Sequence, residues 1–256
     1  MTTTTKIFYF LFLTIFITSS WTATSRSRSL SSSKAKCDIK TMDKCAVTVM
    51  VFGRRDVYLP VNNKEMVPHC KEEFDAEKCV KDYARKCLKP LQKQLIGVIM
   101  LGASQVIKQR CTPSGTQEYL SHYKCIKKTI PELHNCMDQL VVSLEEISKR
   151  SVEQRIPSAC CSFSRYISCS TRPVRQMCKD DPTAENYIAV KMIKGYASEV
   201  LDLACQGFDL GGEKCNKLSL PDGGFNEVNA SLQQYRNVTD RSFSLLPPFI
   251  DIFTQQ

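Results

Sequence analysis

The sequence predicts an all-α protein made of two tandem six-cysteine helical modules that disulfides brace. Three observations lead to this prediction: fourteen cysteines that all follow a secretion signal, a cysteine spacing that occurs twice, and apolar side chains at helical intervals. The chain has 256 residues, 43% of them hydrophobic and 24% charged, so it can bury a core of its own.

The first residues are typical of a secretion signal. Lys6 is the only charge before an apolar run at residues 7–17, and small polar residues follow the run. The run is too short to cross a membrane, because a crossing helix needs about 20 apolar residues. We therefore predict that residues 1–23 are a removed signal, that the protein is secreted, and that it has no transmembrane segment.

Residues 24–36 are rich in serine and carry four basic and no acidic side chains. This composition predicts a disordered arm. The basic residues are Arg26, Arg28, Lys34 and Lys36. Removal of Lys6 with the signal lowers the net charge from +9 to +8, and the arm supplies half of it. The arm favours weak binding to anionic glycans, with a plain solvated linker as the alternative, and we expect no nucleic-acid partner.

The spacing of the cysteines indicates an internal duplication. The first six are separated by 8, 25, 9, 8 and 24 positions, and the next set by 11, 24, 9, 9 and 27. The first set is Cys37, Cys45, Cys70, Cys79, Cys87 and Cys111, and the second is Cys125, Cys136, Cys160, Cys169, Cys178 and Cys205. We predict a first module at 37–124 and a second at 125–215, with Cys161 and Cys215 as an extra pair.

Each module should close its own bridges, although six cysteines allow fifteen pairings and the spacing does not choose among them. The neighbours Cys160 and Cys161 should bind different partners, because a bridge between adjacent cysteines strains the peptide.

Helical segments are predicted in both modules. A proline shortly after the fifth cysteine, Pro90 or Pro182, fits the first turn of a helix that ends at the sixth. Two apolar stripes at helical spacing support this. They are Ile188, Met192, Tyr196, Val200 and Leu203, and Met137, Leu140, Val141, Leu144 and Ile147. We expect the latter helix to start at Pro131.

Two further segments of the first module are expected to be helical. The β-branched stretch after Cys45 favours a strand by propensity, but its counterpart in the second module predicts a helix. Residues 70–87 contain neither glycine nor proline and should also be helical.

Residues 216–256 are predicted to form a glycosylated tail. No cysteine lies beyond Cys215, and two N-glycosylation acceptors, Asn229 and Asn237, follow a Pro-Asp-Gly-Gly turn. We expect the apolar end of this tail to pack in an extended form.

The sequence offers no recognisable catalytic or metal motif. Residues 160–169 superficially resemble the double-cysteine helix of secreted phospholipases, but the histidine that serves those enzymes as a base is absent. His69, His122 and His134 have no evident carboxylate partner and are expected at the surface. No C-x-x-C pair occurs. We therefore predict no enzyme, no cofactor and no metal.

The region from Cys37 to Cys215 resembles the arthropod twenty-seven-kilodalton haemolymph glycoprotein group. The resemblance rests on the run C-V-K-D-Y-A-R-K-C-L-K-P-L at 79–91, the A-C-C segment at 159–161 and the number of cysteines. It implies a secreted, cysteine-rich glycoprotein of body fluid and carries over no functional residues.

Two functions remain open from the sequence. The first is a secreted glycoprotein of body fluid or venom that acts through its surface, without catalysis. The alternative is a carrier that encloses a small apolar ligand, a lipid or a hormone-like molecule, between its helices. Both need the same apolar helix faces, and such faces more often pack into a filled core, which favours the first.

Overall fold

The computed structural model describes residues 37–50, 52–53, 59–209, 211–218 and 242–254. The predicted signal, the basic arm and both glycosylation acceptors lie outside these residues. The described part is helical and contains no strand, which confirms the all-α prediction.

The first module contributes three helices and the start of a fourth. α1 is Ile39–Val49, α2 is Asn63–Cys87, α3 is Pro90–Arg110 and α4 is Pro113–Ser148. Residues 46–49 of the stretch after Cys45 thus lie in a helix, as the spacing predicted against their β propensity, and the helix ends before Met50. The expected helix start at Pro131 is wrong, because Pro131 lies inside α4. A proline removes only one backbone hydrogen bond, and buried residues on both sides keep this helix continuous.

The second module continues along α4 and adds α5, Val152–Met177. A short α6, Ala184–Asn186, then leads into a π-helical segment, Tyr187–Lys194, and α7, Gly195–Ala204. Of the stripe predicted here, Ile188, Met192 and Tyr196 are buried. Leu203 is 80% exposed, so its prediction as a buried residue is wrong. It lies in the last turn of α7.

All fourteen cysteines are paired, and the pairing order is the same in both modules. In each set the first cysteine binds the fifth, the second binds the fourth, and the third binds the sixth. The first module holds Cys37–Cys87, Cys45–Cys79 and Cys70–Cys111, and the second holds Cys125–Cys178, Cys136–Cys169 and Cys160–Cys205. Cys161 binds Cys215, the predicted extra pair. A duplication would produce such a repeated order, and the two-module organisation stays a prediction.

The modules are joined by structure as well as by sequence. The predicted boundary between residues 124 and 125 falls inside α4, and the chain from Cys37 onwards forms one compact unit. The helices that end at the sixth cysteines, α3 and α7, also pack against each other. At their contact, a Cβ atom on Gly102 would lie 2.8 Å from the carbonyl oxygens of both Gly195 and Tyr196. Only a glycine at position 102 permits this approach.

The end of the chain is a helix rather than the expected extended segment. A short α8, Glu213–Asn216, carries Cys215, and α9, Leu246–Thr254, follows the undescribed residues 219–241. Leu246 and Ile250 are buried in a core cluster that includes Met42 and Ile96, whereas Ile252 is buried in another cluster that includes Leu133 and Tyr166. The apolar residues at the end of the chain thus form one helix that packs against both modules.

Candidate functional site: an apolar cavity beneath the last helix

An apolar cavity lies between the two modules and α9. The cavity measures about 80 Å³. Its walls are almost entirely hydrocarbon. The lining residues are Met50, Ile99, Met137, Leu140, Leu144, Ala159, Cys160, Phe163, Tyr166, Ile193, Tyr196, Ala197, Val200, Leu201, Cys205, Leu245, Phe249 and Phe253.

Most of the lining comes from the second module, and the predicted stripes supply much of it. Met137, Leu140 and Leu144 come from the inner face of α4, and Tyr196 and Val200 from that of α7. The sequence thus located these faces, but it could not show that they leave a space between them. Helices with the same faces could equally have packed into a filled core.

The π-helical segment places neighbouring side chains in different surroundings. Ile193 lines the apolar cavity, and Met192 lines a second cavity on the side of the first module. π-Helical turns are rare and occur frequently at functional sites. Here the segment forms part of the wall between two internal spaces.

The last helix covers the cavity with aromatic side chains. Leu245, Phe249 and Phe253 line it, and the rings of Phe249 and Phe253 contact each other with centroids 4.5 Å apart. A side chain of the first module holds the start of this helix. Asp43 accepts hydrogen bonds from the backbone N–H groups of Phe243 and Ser244, at 2.5 and 2.8 Å.

Further contacts strengthen this attachment. The hydroxyl of Ser244 donates to Asp43 Oδ1 at 2.6 Å, and the N–H of Ser242 donates to Glu145 Oε1 at 2.9 Å. Two carboxylates thus bind the chain at the N-terminal end of α9, the end at which a helix favours negative charge. Burial raises the pKa of Asp43, and the hydrogen bonds from Ser244 and Phe243 only partly oppose that rise. We call Asp43 and Glu145 the latch of α9.

Asp43→Ala should loosen α9 without unfolding the remainder. Hydrogen bonds to a charged group contribute about 1.5–3 kcal/mol each, offset in part by the cost of burying the carboxylate. We expect a local loss of about 2 kcal/mol, which corresponds to roughly thirtyfold faster amide hydrogen exchange in α9. The control is Asp38→Ala, which removes the cap of α1 but does not touch α9. Equal exchange in α9 for both variants would contradict the role of Asp43.

The expected surface position of the three histidines is wrong. His122 and His134 are buried, and His69 is largely covered. His122 Nδ1 lies 2.7 Å from Asp181 Oδ2, and its ring stacks on Tyr187 with centroids 4.5 Å apart. The fold brings His122 of α4 to Asp181, which lies between α5 and α6, 59 positions later in the chain, and this explains why no local pattern revealed the pair.

The other two histidines also have partners. His134 Nδ1 lies 2.8 Å from the backbone oxygen of Phe52, and His69 Nε2 lies 3.5 Å from Glu73 Oε1. His122 and His134 therefore join segments that are distant in sequence, whereas the contact of His69 lies within α2.

One group of residues in the described part has the spacing of a metal site: Cys70, Glu73 and Cys111. Cys70 and Cys111 are bonded to each other, so neither offers a thiolate. Glu73 alone remains as a ligand, and the group does not fit a metal.

None of the described helices combines the length and apolarity that crossing a membrane requires. Seven disulfides are compatible with an extracellular protein, since such bonds persist in oxidising compartments. No family model, curated protein or solved structure matches the chain.

Proposed function

We propose that this protein carries a small, slender apolar molecule in the cavity beneath α9. The observation that supports the proposal is the cavity itself, a hydrocarbon-lined space between helices of both modules that the terminal helix covers. A molecule that enters it gains the free energy of burying apolar surface.

The size of the cavity constrains how a ligand enters. An engineered protein cavity of about 150 Å³ binds benzene, so a space of about 80 Å³ receives only a few carbon atoms as it stands. A longer molecule, such as an alkyl chain, requires Phe249 and Phe253 to move. The carrier function therefore depends on a displacement of α9, which the latch controls.

The experiment is a titration with N-phenyl-1-naphthylamine, a dye whose emission rises in apolar surroundings. The wild-type protein should bind the dye, and a long-chain fatty acid should displace it. Ala197→Leu fills part of the cavity and should weaken binding about tenfold, the equivalent of about 1.4 kcal/mol. Ala189→Leu, on the π-helical segment and outside the cavity lining, is the matched control and should bind as the wild type does.

Two outcomes would overturn this proposal. One is the absence of a dye signal from the folded wild-type protein, and the other is an equal loss in both variants. If the dye binds as expected, native mass spectrometry of the protein purified from its natural source would reveal the natural ligand as additional mass.

The remaining expectations stay predictions. They are secretion, glycosylation at Asn229 and Asn237, membership of the haemolymph glycoprotein group, and a function at the protein surface. Weak binding to anionic glycans also stays a prediction, with the arm as its expected source because it supplies half of the net charge, and the basic residues of the first module as the alternative.

A further inference from the structure

A second cavity, of about 70 Å³, is lined mostly by residues of the first module and partly by Ile126, Ile130, His134 and Met192 of the second. Most of its wall is apolar, but six residues with polar side chains also line it. These are Thr48, His69, Glu73, Arg110, Tyr119 and His134. We call it the polar cavity.

Buried charges line this space. Arg110 and Glu73 form an ion pair with side-chain exposures of 5% and 6%, and the hydroxyl of Tyr196 lies 3.3 Å from Arg110 Nη2. The pair uses only one oxygen of Glu73. Among the described residues, three buried atoms at the cavity have no hydrogen-bond partner: Glu73 Oε2, Arg110 Nε and the hydroxyl of Tyr119. Such atoms cost free energy unless something binds them.

The second module shows that the architecture does not need these groups. Glu73 lies three residues after the third cysteine, and Arg110 one residue before the sixth. The second module has Phe163 and Ala204 at the corresponding positions, and Phe163 lines the apolar cavity. The same bridge, Cys70–Cys111 in one module and Cys160–Cys205 in the other, thus lies beside a charged pair in the first case and beside apolar groups in the second.

We infer that the polar cavity binds a small neutral molecule that carries a hydroxyl group on a compact apolar body. The hydroxyl donates to Glu73 Oε2 and accepts from Arg110 Nε or Tyr119. The charges of Glu73 and Arg110 balance each other, so the site favours no net charge on the ligand. The apolar body contacts the hydrocarbon wall, which includes Val47, Met50, Phe52, Leu59, Ile126, Ile130 and Met192.

Water is the competing occupant. A cavity of this volume holds several water molecules, each of which needs about 10–15 Å³, and water satisfies donors and acceptors alike. The test therefore uses two molecules of similar shape that differ in hydrogen bonding. Isobutanol donates a hydrogen bond, whereas isobutyl chloride has no hydrogen to donate.

The measurement is an NMR titration of the disulfide-intact protein with each probe. Isobutanol should shift amide resonances around the polar cavity and bind about tenfold more tightly than isobutyl chloride. Tyr119→Phe should weaken isobutanol binding about fivefold while leaving the fold intact, because the removed hydroxyl has no partner in the described part. Tyr83→Phe, outside both cavities, is the matched control.

The Ala197→Leu variant separates this inference from the carrier proposal. Filling the apolar cavity should leave isobutanol binding unchanged. Equal affinity for the two probes, or isobutanol-soaked crystals with only water on the three atoms, would overturn the inference.

Discussion

Arg110→Met should lower the free energy of unfolding by about 3–5 kcal/mol, because it leaves the buried carboxylate of Glu73 without its cation. Leaving a buried charge without its partner lowers the free energy of unfolding more than the loss of an apolar contact of similar area does. Guanidinium unfolding of the disulfide-intact protein, followed by circular dichroism, measures the change.

The control is the double variant Glu73→Met/Arg110→Met, which removes both charges. Replacing a buried ion pair by apolar residues is often neutral or stabilising, so the double variant should recover most of the loss. If the double variant were as unstable as Arg110→Met, the cost would come from lost packing around Arg110 and not from an unpaired charge.

The Glu73–Arg110 pair should also make the free energy of unfolding depend on pH. Burial alone would raise the pKa of Glu73, but the charge of Arg110 and the contact with His69 lower it from 4.5 to about 2. The unfolded chain therefore takes up the proton at higher pH than the folded protein does. This contribution is complete above pH 4.5 and is lost as the pH falls towards about 2. The double variant should lack this part of the acid sensitivity.

Gly102→Ala should destabilise the contact between α3 and α7. The added methyl group would lie 2.8 Å from two carbonyl oxygens of the facing backbone, which cannot move aside as a flexible side chain can. Overpacking of this kind costs about 1–3 kcal/mol. Thermal unfolding at neutral pH should show the loss as a lower midpoint.

Gly97→Ala in the same helix is the matched control. A Cβ atom on Gly97 meets nothing within 4 Å, so this change gains only the better helix propensity of alanine, about 0.5–1 kcal/mol. The two substitutions should therefore shift the midpoint in opposite directions. A lower midpoint for both variants would mean that alanine destabilises α3 itself, and not its contact with α7.

The helices were predictable where local and repeated patterns agree. The inner face of α4, from Met137 to Ile147, is buried as its spacing predicts. The helix after Cys45 was predictable only from the second module, because its own β-branched residues favour a strand. Pro131 led to a wrong helix start, because a proline can occupy the first turn of a helix or, as here, lie inside one.

The sites were less predictable, because their residues meet only in the folded chain. Asp43 binds the backbone of Ser244, 201 positions away. Glu73 lies in the charged run E-E-F-D, where nothing distinguishes it from its exposed neighbour Glu72. The sequence holds one signal for the Glu73–Arg110 pair, but it can be used only when the pairing of the cysteines is known. Glu73 lies near Cys70 and Arg110 next to Cys111, so the bridge between these cysteines brings the charged pair together.

The pairing order also affects how the protein is made. Each of the seven bridges joins cysteines of the same predicted module, so on the predicted secretion route the first module could complete its three bridges as soon as residue 111 has entered an oxidising compartment. At that stage six cysteines have fifteen possible pairings, and the eight that follow have 105 among themselves. Oxidation in the order of synthesis thus avoids most incorrect pairs, as long as the first module closes before Cys125 arrives. A delay at this step would expose the chain to bridges between modules, which isomerases would have to reverse.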